Sequence, residues 1–259
     1  MAEPARVRWS WPQRRATRWA RRPGPVVLVV GVVALVCSGC GAVQKVEKAV
    51  HNAETDLHTV DAFTQHLQSS PSGPFAVTYA TTGSAPATVV YAVNPAADEV
   101  AFSETQSGVG ARNTQLVSNA SGDFACTQQG AGAAWSCEKL SAAAAAGHAQ
   151  TFALYTPSHW ESFLKGLSVA AGLAGGTVTT STKSVNGFDL ECLDLELRGV
   201  QGTTTVCTTA QGLLGYVQAP QDATAFEITS YTTSPAPSLF ALPPGATVST
   251  PTAPSGASG

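Results

Sequence analysis

Basic residues are scarce in most of this chain. From residue 40 onward seven lysines and arginines face 16 acidic residues, a net charge of −9, and the seven are scattered. A surface this acidic, with no basic cluster, excludes nucleic acid as the natural partner. Signatures of chemistry are missing as well: Gly-x-Ser-x-Gly, His-Glu-x-x-His and the phosphate-binding Gly-x₄-Gly-Lys-Ser/Thr do not occur. The five histidines offer no catalytic pair, because a catalytic imidazole needs an orienting partner and the sequence names none. The expectation is a protein that is not an enzyme and carries no cofactor or metal. A long apolar run is also absent. Val26 to Val36 has the length of a signal h-region rather than of a membrane span.

What is present at the start is an address. Seven arginines and one acid, Glu3, precede the apolar segment, the positive n-region of an export signal, which places the remainder outside the cytoplasm. The segment ends Val36-Cys37-Ser38-Gly39-Cys40. Small residues before a cysteine resemble a bacterial lipobox, with Cys40 as the lipidated residue and residues 1–39 as the signal peptide. An uncleaved signal anchor is the alternative, since Pro23 to Val43 carries no charge, and plain secretion is a third. The expected location is extracytoplasmic, anchored to the cell membrane by lipid.

Export gives the cysteines their meaning. Cys126, Cys137, Cys192 and Cys207 remain beyond the leader, and four cysteines allow three pairings. Cys126–Cys137 and Cys192–Cys207 are preferred, because each pair flanks a turn-rich loop between strand-like segments. Zinc is the competing reading, and the spacings are too wide for it.

About 220 residues from Cys40 can enclose one core, so a single domain over 40–246 is expected. Val43, Val46, Val50, Ala53, Leu57, Val60 and Leu67 repeat at three-four spacing, the stripe of an amphipathic helix across 42–68. His51, His58 and His66 fall opposite the stripe, on a solvated face. Ser69 to Pro74 ends that helix with breakers. Short β-branched segments follow at 75–80, 87–93, 99–104, 114–118, 123–127 and 134–138, with connections too short for parallel crossovers.

The alanine run Ala142 to Ala146 is by itself a marginal helix. Ser158 and Glu161 spell a capping box, and Trp160, Phe163, Leu164, Leu167, Ala170, Ala171 and Ala174 then form an apolar face, with Leu173 in the same nearly uncharged stretch. Strands resume at 177–182, 188–197, 203–208, 213–219 and 225–231. In the second, apolar parity shifts from Phe188 and Leu190 to Leu193, Leu195 and Leu197, which predicts a bulge near Cys192. The acids between them, Asp189, Glu191, Asp194 and Glu196, read as the outer side of a sheet rather than a calcium site. Asn119-Ala120-Ser121 fits a glycosylation sequon. Residues 247–259 are small and proline-rich, a tail expected to be disordered.

This order of elements resembles the half-barrel lipoproteins of the LolA and LppX/LprG type. The resemblance covers residues about 42 to 246, and rests on Val185-Asn186-Gly187-Phe188 leading to Cys192, Val206-Cys207-Thr208 before Gly212-Leu213-Leu214, and Phe226 to Tyr231 before Phe240-Ala241-Leu242-Pro243. It implies an α+β fold in which a strongly curved antiparallel sheet packs helices on its concave side and binds acyl chains or lipids between them. Trp160, Phe163, Leu164, Leu167 and Leu173 are then the candidate cavity lining. The membrane, through the anchor, and a lipid ligand are the implied partners. An envelope sensor or scaffold with a filled core, acting through another envelope protein, is the alternative.

Overall fold

The computed structural model describes residues 54–55, 57–65, 71–83, 86–108, 110–153, 160–166, 176–196, 199–219 and 225–250. All belong to Cys40–Gly259, one of the two units into which the chain divides. The strands are Phe75–Thr81 (β1), Ala87–Asn94 (β2), Glu99–Gln106 (β3), Arg112–Asn119 (β4), Gly122–Gln129 (β5), Ser136–Lys139 (β6), Thr177–Val185 (β7), Phe188–Glu196 (β8), Thr203–Thr209 (β9), Leu214–Gln218 (β10), Ala225–Thr232 (β11) and Thr247–Ser249 (β12). Helical residues lie at 54–55 and 57–65 (α1), Ala142–Ala153 (α2) and 160–166 (α3). The fold is α+β, one 12-stranded sheet with its helices outside the strand order.

That order is β12-β6-β5-β4-β3-β2-β1-β11-β10-β9-β8-β7. Two antiparallel meanders, β1 to β6 and β7 to β11, are therefore joined where the first strand pairs with the eleventh. The meanders follow from alternating segments with short polar turns. Their junction is a long-range pairing that no local signal announces. The sheet is mixed rather than wholly antiparallel, because β12 runs parallel to β6, with Val248 opposite Cys137. This strand also corrects the expected tail: Thr247 to Ser249 join the sheet, and 251–259 lie outside the described residues.

Residues directly opposite one another in neighbouring strands share a face. From Tyr79 the register runs to Val89 on one side and Ile228 on the other; Tyr91, Phe102, Leu116 and Ala125 continue the same face through β4 to β5. In the other direction Thr81 leads to Phe226, Val217, Val206 and Leu193. One apolar face thus runs from β5 to β8. On its β7–β10 flank, Val60 and Phe63 of α1 and Leu164 of α3 pack with Val178, Leu193, Leu195, Val206 and Leu214.

The reverse face has two covers. Over the first meander it is small-residued, and Phe240 lies on Ala76, Ala92 and Ala101 while Leu242 and Ala246 lie on Phe124 and the Cys126–Cys137 bridge. Gln115 Nε2 donates to the Ala241 carbonyl (3.2 Å) and Asn119 Nδ2 to the Phe240 carbonyl (2.8 Å). The Phe-x-Leu-Pro segment is therefore a strap bound side chain to backbone. Over the second meander the reverse face is covered by the sheet itself. β7 and β11 stand four places apart, about 19 Å in a flat sheet, yet Asn186 Nδ2, in the turn after β7, donates to the Ile228 carbonyl at 2.9 Å. The sheet bends back at this place, and Val185, Leu190, Cys192, Cys207 and Tyr216 are buried in the cluster that holds Ile228.

This double burial corrects the reading of β8. No register shift interrupts its pairing with β7 or β9, so there is no bulge near Cys192. The apolar parity shifts because the two ends of one regular strand bury opposite faces: Leu190 and Cys192 the reverse face, Leu193 and Leu195 the helix face. The irregularities lie instead between Thr78 and Tyr79 and between Leu214 and Tyr216. The alanine run also goes further than expected, through 12 residues. Ser141 caps it, its Oγ accepting from the Ala144 N–H at 3.3 Å and its carbonyl from the Ala145 N–H at 2.8 Å, which offsets part of the nucleation cost that makes a short run marginal.

Candidate functional site

The residues expected to line a cavity divide in three. Leu164 is buried outright against the sheet, with none of its surface exposed. Trp160 and Phe163 are half-buried at the same cluster, their rings edge to face at 5.6 Å. Leu167 and Leu173 lie outside the described residues, as do Cys40, Cys37, His51, His66 and Ser158 of the expected capping box.

Glu161, the other half of that box, pairs with Lys165 one turn on, Oε1 to Nζ at 2.9 Å. The same ammonium reaches Asp61 of α1 at 3.0 Å, so Lys165 ties α3 to α1. Hydrogen bonds that it donates to Glu161 and then to Asp61 hold its pKa above the ordinary lysine value. Thr64, beside Phe63, is buried and returns its hydroxyl to the Asp61 carbonyl at 3.2 Å.

Next to this helix pair an open cavity of about 400 Å³ lies between α1 and the β7–β8 edge, lined by Ala62, Phe63, Thr180, Ser181, Thr182, Glu191 and Cys192. Farther along the helix face the packed core turns aromatic. Tyr79 stacks on Phe226 at 4.3 Å and Phe75 meets Tyr91 edge-on at 6.0 Å. Burial pushes the Tyr91 phenol up to about 12. These aromatic residues sit on strands at alternate positions, where the sequence pattern shows an inward face but not what that face meets. Thr208 is a further feature that pattern does not reveal. It is fully buried on the helix face, paired with Leu214, and its Oγ1 has no hydrogen-bond partner among the described residues. A buried hydroxyl left without a partner costs about 1–3 kcal/mol.

The remaining chemical candidates settle into structure. Cys126 is bonded to Cys137 and Cys192 to Cys207, each across directly paired residues of adjacent strands. Both bridges fall on the reverse face by register. Asp194 holds its two oxygens to Ser181 (2.5 Å) and Thr205 (2.6 Å) on the strands beside it, while Asp189, Glu191 and Glu196 are exposed. Among the described residues no group of three or more His, Cys, Asp or Glu side chains is placed to hold a metal ion. His58 is exposed on α1. Asn119 of the sequon is engaged at both ends of its amide, with Oδ1 accepting from the Ser121 N–H at 2.8 Å.

No family model matches the chain, and no curated protein matches it. The two disulfides are compatible with an extracytoplasmic domain. Among the described residues no helix is long and apolar enough to cross a membrane.

Proposed function

We propose that this chain is an exported lipoprotein, anchored through Cys40, that holds an acyl chain or lipid non-covalently between the helix face of its sheet and helices α1 and α3. In this reading the bent sheet is the half-barrel of LolA-type carriers and the helices lie on its concave side. The observation that carries the proposal is the continuous apolar face from β5 to β8 with two helices over one flank of it. Affinity comes from apolar burial at roughly 25 cal/mol/Å², with Thr208 Oγ1 as a polar contact for a headgroup or ester oxygen, and no residue performs covalent chemistry. This arrangement of an apolar lining with few polar groups suits a small-molecule site.

Native mass spectrometry of the full lipidated chain, followed by solvent extraction, tests the reading. A bound lipid released in stoichiometric amount is expected; a clean apo mass with nothing extractable rejects it. The anchor is tested separately by palmitate labelling, which should disappear in Cys40→Ala and persist in Cys37→Ala.

A sensor or scaffold with a filled core has one observation in its favour: Val60, Leu164 and Leu193 have no exposed surface where helix meets sheet, so that contact is closed. A stoichiometric envelope protein recovered by crosslinking, together with an apo mass, would select this second reading.

A further inference from the structure

The two ends of the sheet are built differently. One end is β12, three residues long and followed by Thr250 and Pro251, a short edge that gives a further strand little to pair with. The other is β7, nine residues without a proline and without a break in its register on β8, with seven of the nine exposed. Among the described residues no strand pairs with its outer side.

The hairpin decides which backbone groups face outward. Asn186 (φ 50°) and Gly187 (φ 85°) form a two-residue turn with both residues left-handed, so Val185 and Phe188 exchange both backbone hydrogen bonds. Every second residue back along β7 does the same, down to Thr177. Val178, Thr180, Thr182 and Ser184 therefore aim their N–H and C=O groups away from β8.

We propose that this edge docks a second copy of the chain, the two β7 strands pairing antiparallel about a twofold axis through Ser181. In this register Val178 pairs with Ser184 of the second copy and Thr180 with its Thr182, so every outward-facing backbone group of both strands finds a partner. Ser181 meets its own copy on the axis. Thr179 lies opposite Lys183, and no like charges face each other.

The charges in fact complement one another. Lys183 is the one cation of β7, held on the reverse face with Nζ 3.8 Å above the Tyr216 ring. Opposite it in the pair stands Thr179 of the second copy, whose own neighbour on β8 is Asp194. Two strand spacings, roughly 10 Å, separate Lys183 from that carboxylate; on pairing, the lysine leaves the Tyr216 ring and extends across the gap to a carboxylate whose oxygens also accept from Ser181 and Thr205. The twofold repeats the contact. The side chains along both strands are mostly small serines and threonines, and Thr180 opposite Thr182 is a favourable cross-strand pair.

The test is the mass of the full chain in detergent micelles, measured by sedimentation across a concentration series. Wild type should move from monomer to dimer as concentration rises. Thr180→Pro removes an outward donor while leaving the β7–β8 ladder intact, and should stay monomeric with an unchanged thermal midpoint. If the proline variant fails to fold, Thr180→Lys/Thr182→Lys replaces it: like charges then face each other across the axis, and the dimer should vanish at low salt and return at high salt. A wild-type chain that remains monomeric throughout overturns the proposal. So does a dimer that survives the substitutions, or a different polypeptide that co-purifies and is lost on altering this edge.

Discussion

Gly215 borrows the space of Leu190. A Cβ built on Gly215 would lie 2.5 Å from Leu190 Cδ2, and Leu190 is 2% exposed and has nowhere to swing. The glycine sits at the irregularity between Leu214 and Tyr216, where β10 changes register on β9. Gly215→Ala should therefore destabilise the protein by about 1–3 kcal/mol through overpacking, read as a lower midpoint in thermal or urea unfolding. Gly147→Ala, inside α2 with open space around it, should go the other way by up to about 1 kcal/mol.

Thr208 gives a prediction of opposite sign for two readouts. Replacing it by valine keeps the shape and removes a buried hydroxyl that has no partner, so Thr208→Val should raise the unfolding free energy by about 1 kcal/mol. If a ligand uses that hydroxyl, the same variant should retain less extractable lipid. A variant that is less stable than wild type would mean that the hydroxyl is satisfied in solution.

The four described cysteines are 0–1% exposed. Dithiothreitol should leave both bridges intact in the native protein and open them only with denaturant, as counted by alkylation and mass. Loss of either bridge by a paired Cys→Ser change should cost about 2–4 kcal/mol, the loops being 11 and 15 residues in separation.

Alkaline pH should unfold the protein in a defined window. The Tyr91 phenol is pushed from 10.0 to about 12 by burial, so between these values the folded state holds a proton that the unfolded state releases. Stability is full below pH 10 and falls as pH rises toward 12. Lys165 acts in the same direction, since its raised pKa contributes below the ordinary lysine value of 10.5 and is lost above it. A phenolate absorbance titration should show one phenol ionising toward pH 12 together with the loss of structure, and Tyr91→Phe should remove that step and part of the pH dependence.

Asn119→Ala should loosen the closing strap by about 1–2 kcal/mol, since both its amide ends are bonded. Hydrogen exchange at 237–246 should rise while β8 is unchanged.

The periodic parts of this fold are legible in the amino-acid sequence. Strands at 75–80 and 87–93 announce themselves through β-branched residues between turns, that at 188–196 through apolar residues interleaved with acids, and both disulfides through the loops they close. What escapes is non-local. Nothing near Thr78 or Ser230 says that these two residues pair, and nothing near Leu193 says that β8 is buried twice. A strand covered on both faces loses the clean alternation of a half-exposed one, so its pattern imitates a bulge. The candidate site shows the same division. Leu164 and Phe163 stand out on a helical stripe, whereas Thr208 is one of several threonines between Thr203 and Thr209 until its surroundings are known.

The pairing of β1 with β11 also sets a timetable. Thr229 bonds to the carbonyl of Thr78 across 151 residues, so one side of the first strand stays open until β11 has been made. Loop closure over such a distance makes folding slow. A ribosome that has finished the first meander holds a sheet with a bare edge, and completion waits for β11. Any machinery that needs this polypeptide still extended, a translocation channel among them, is given that interval by the topology itself.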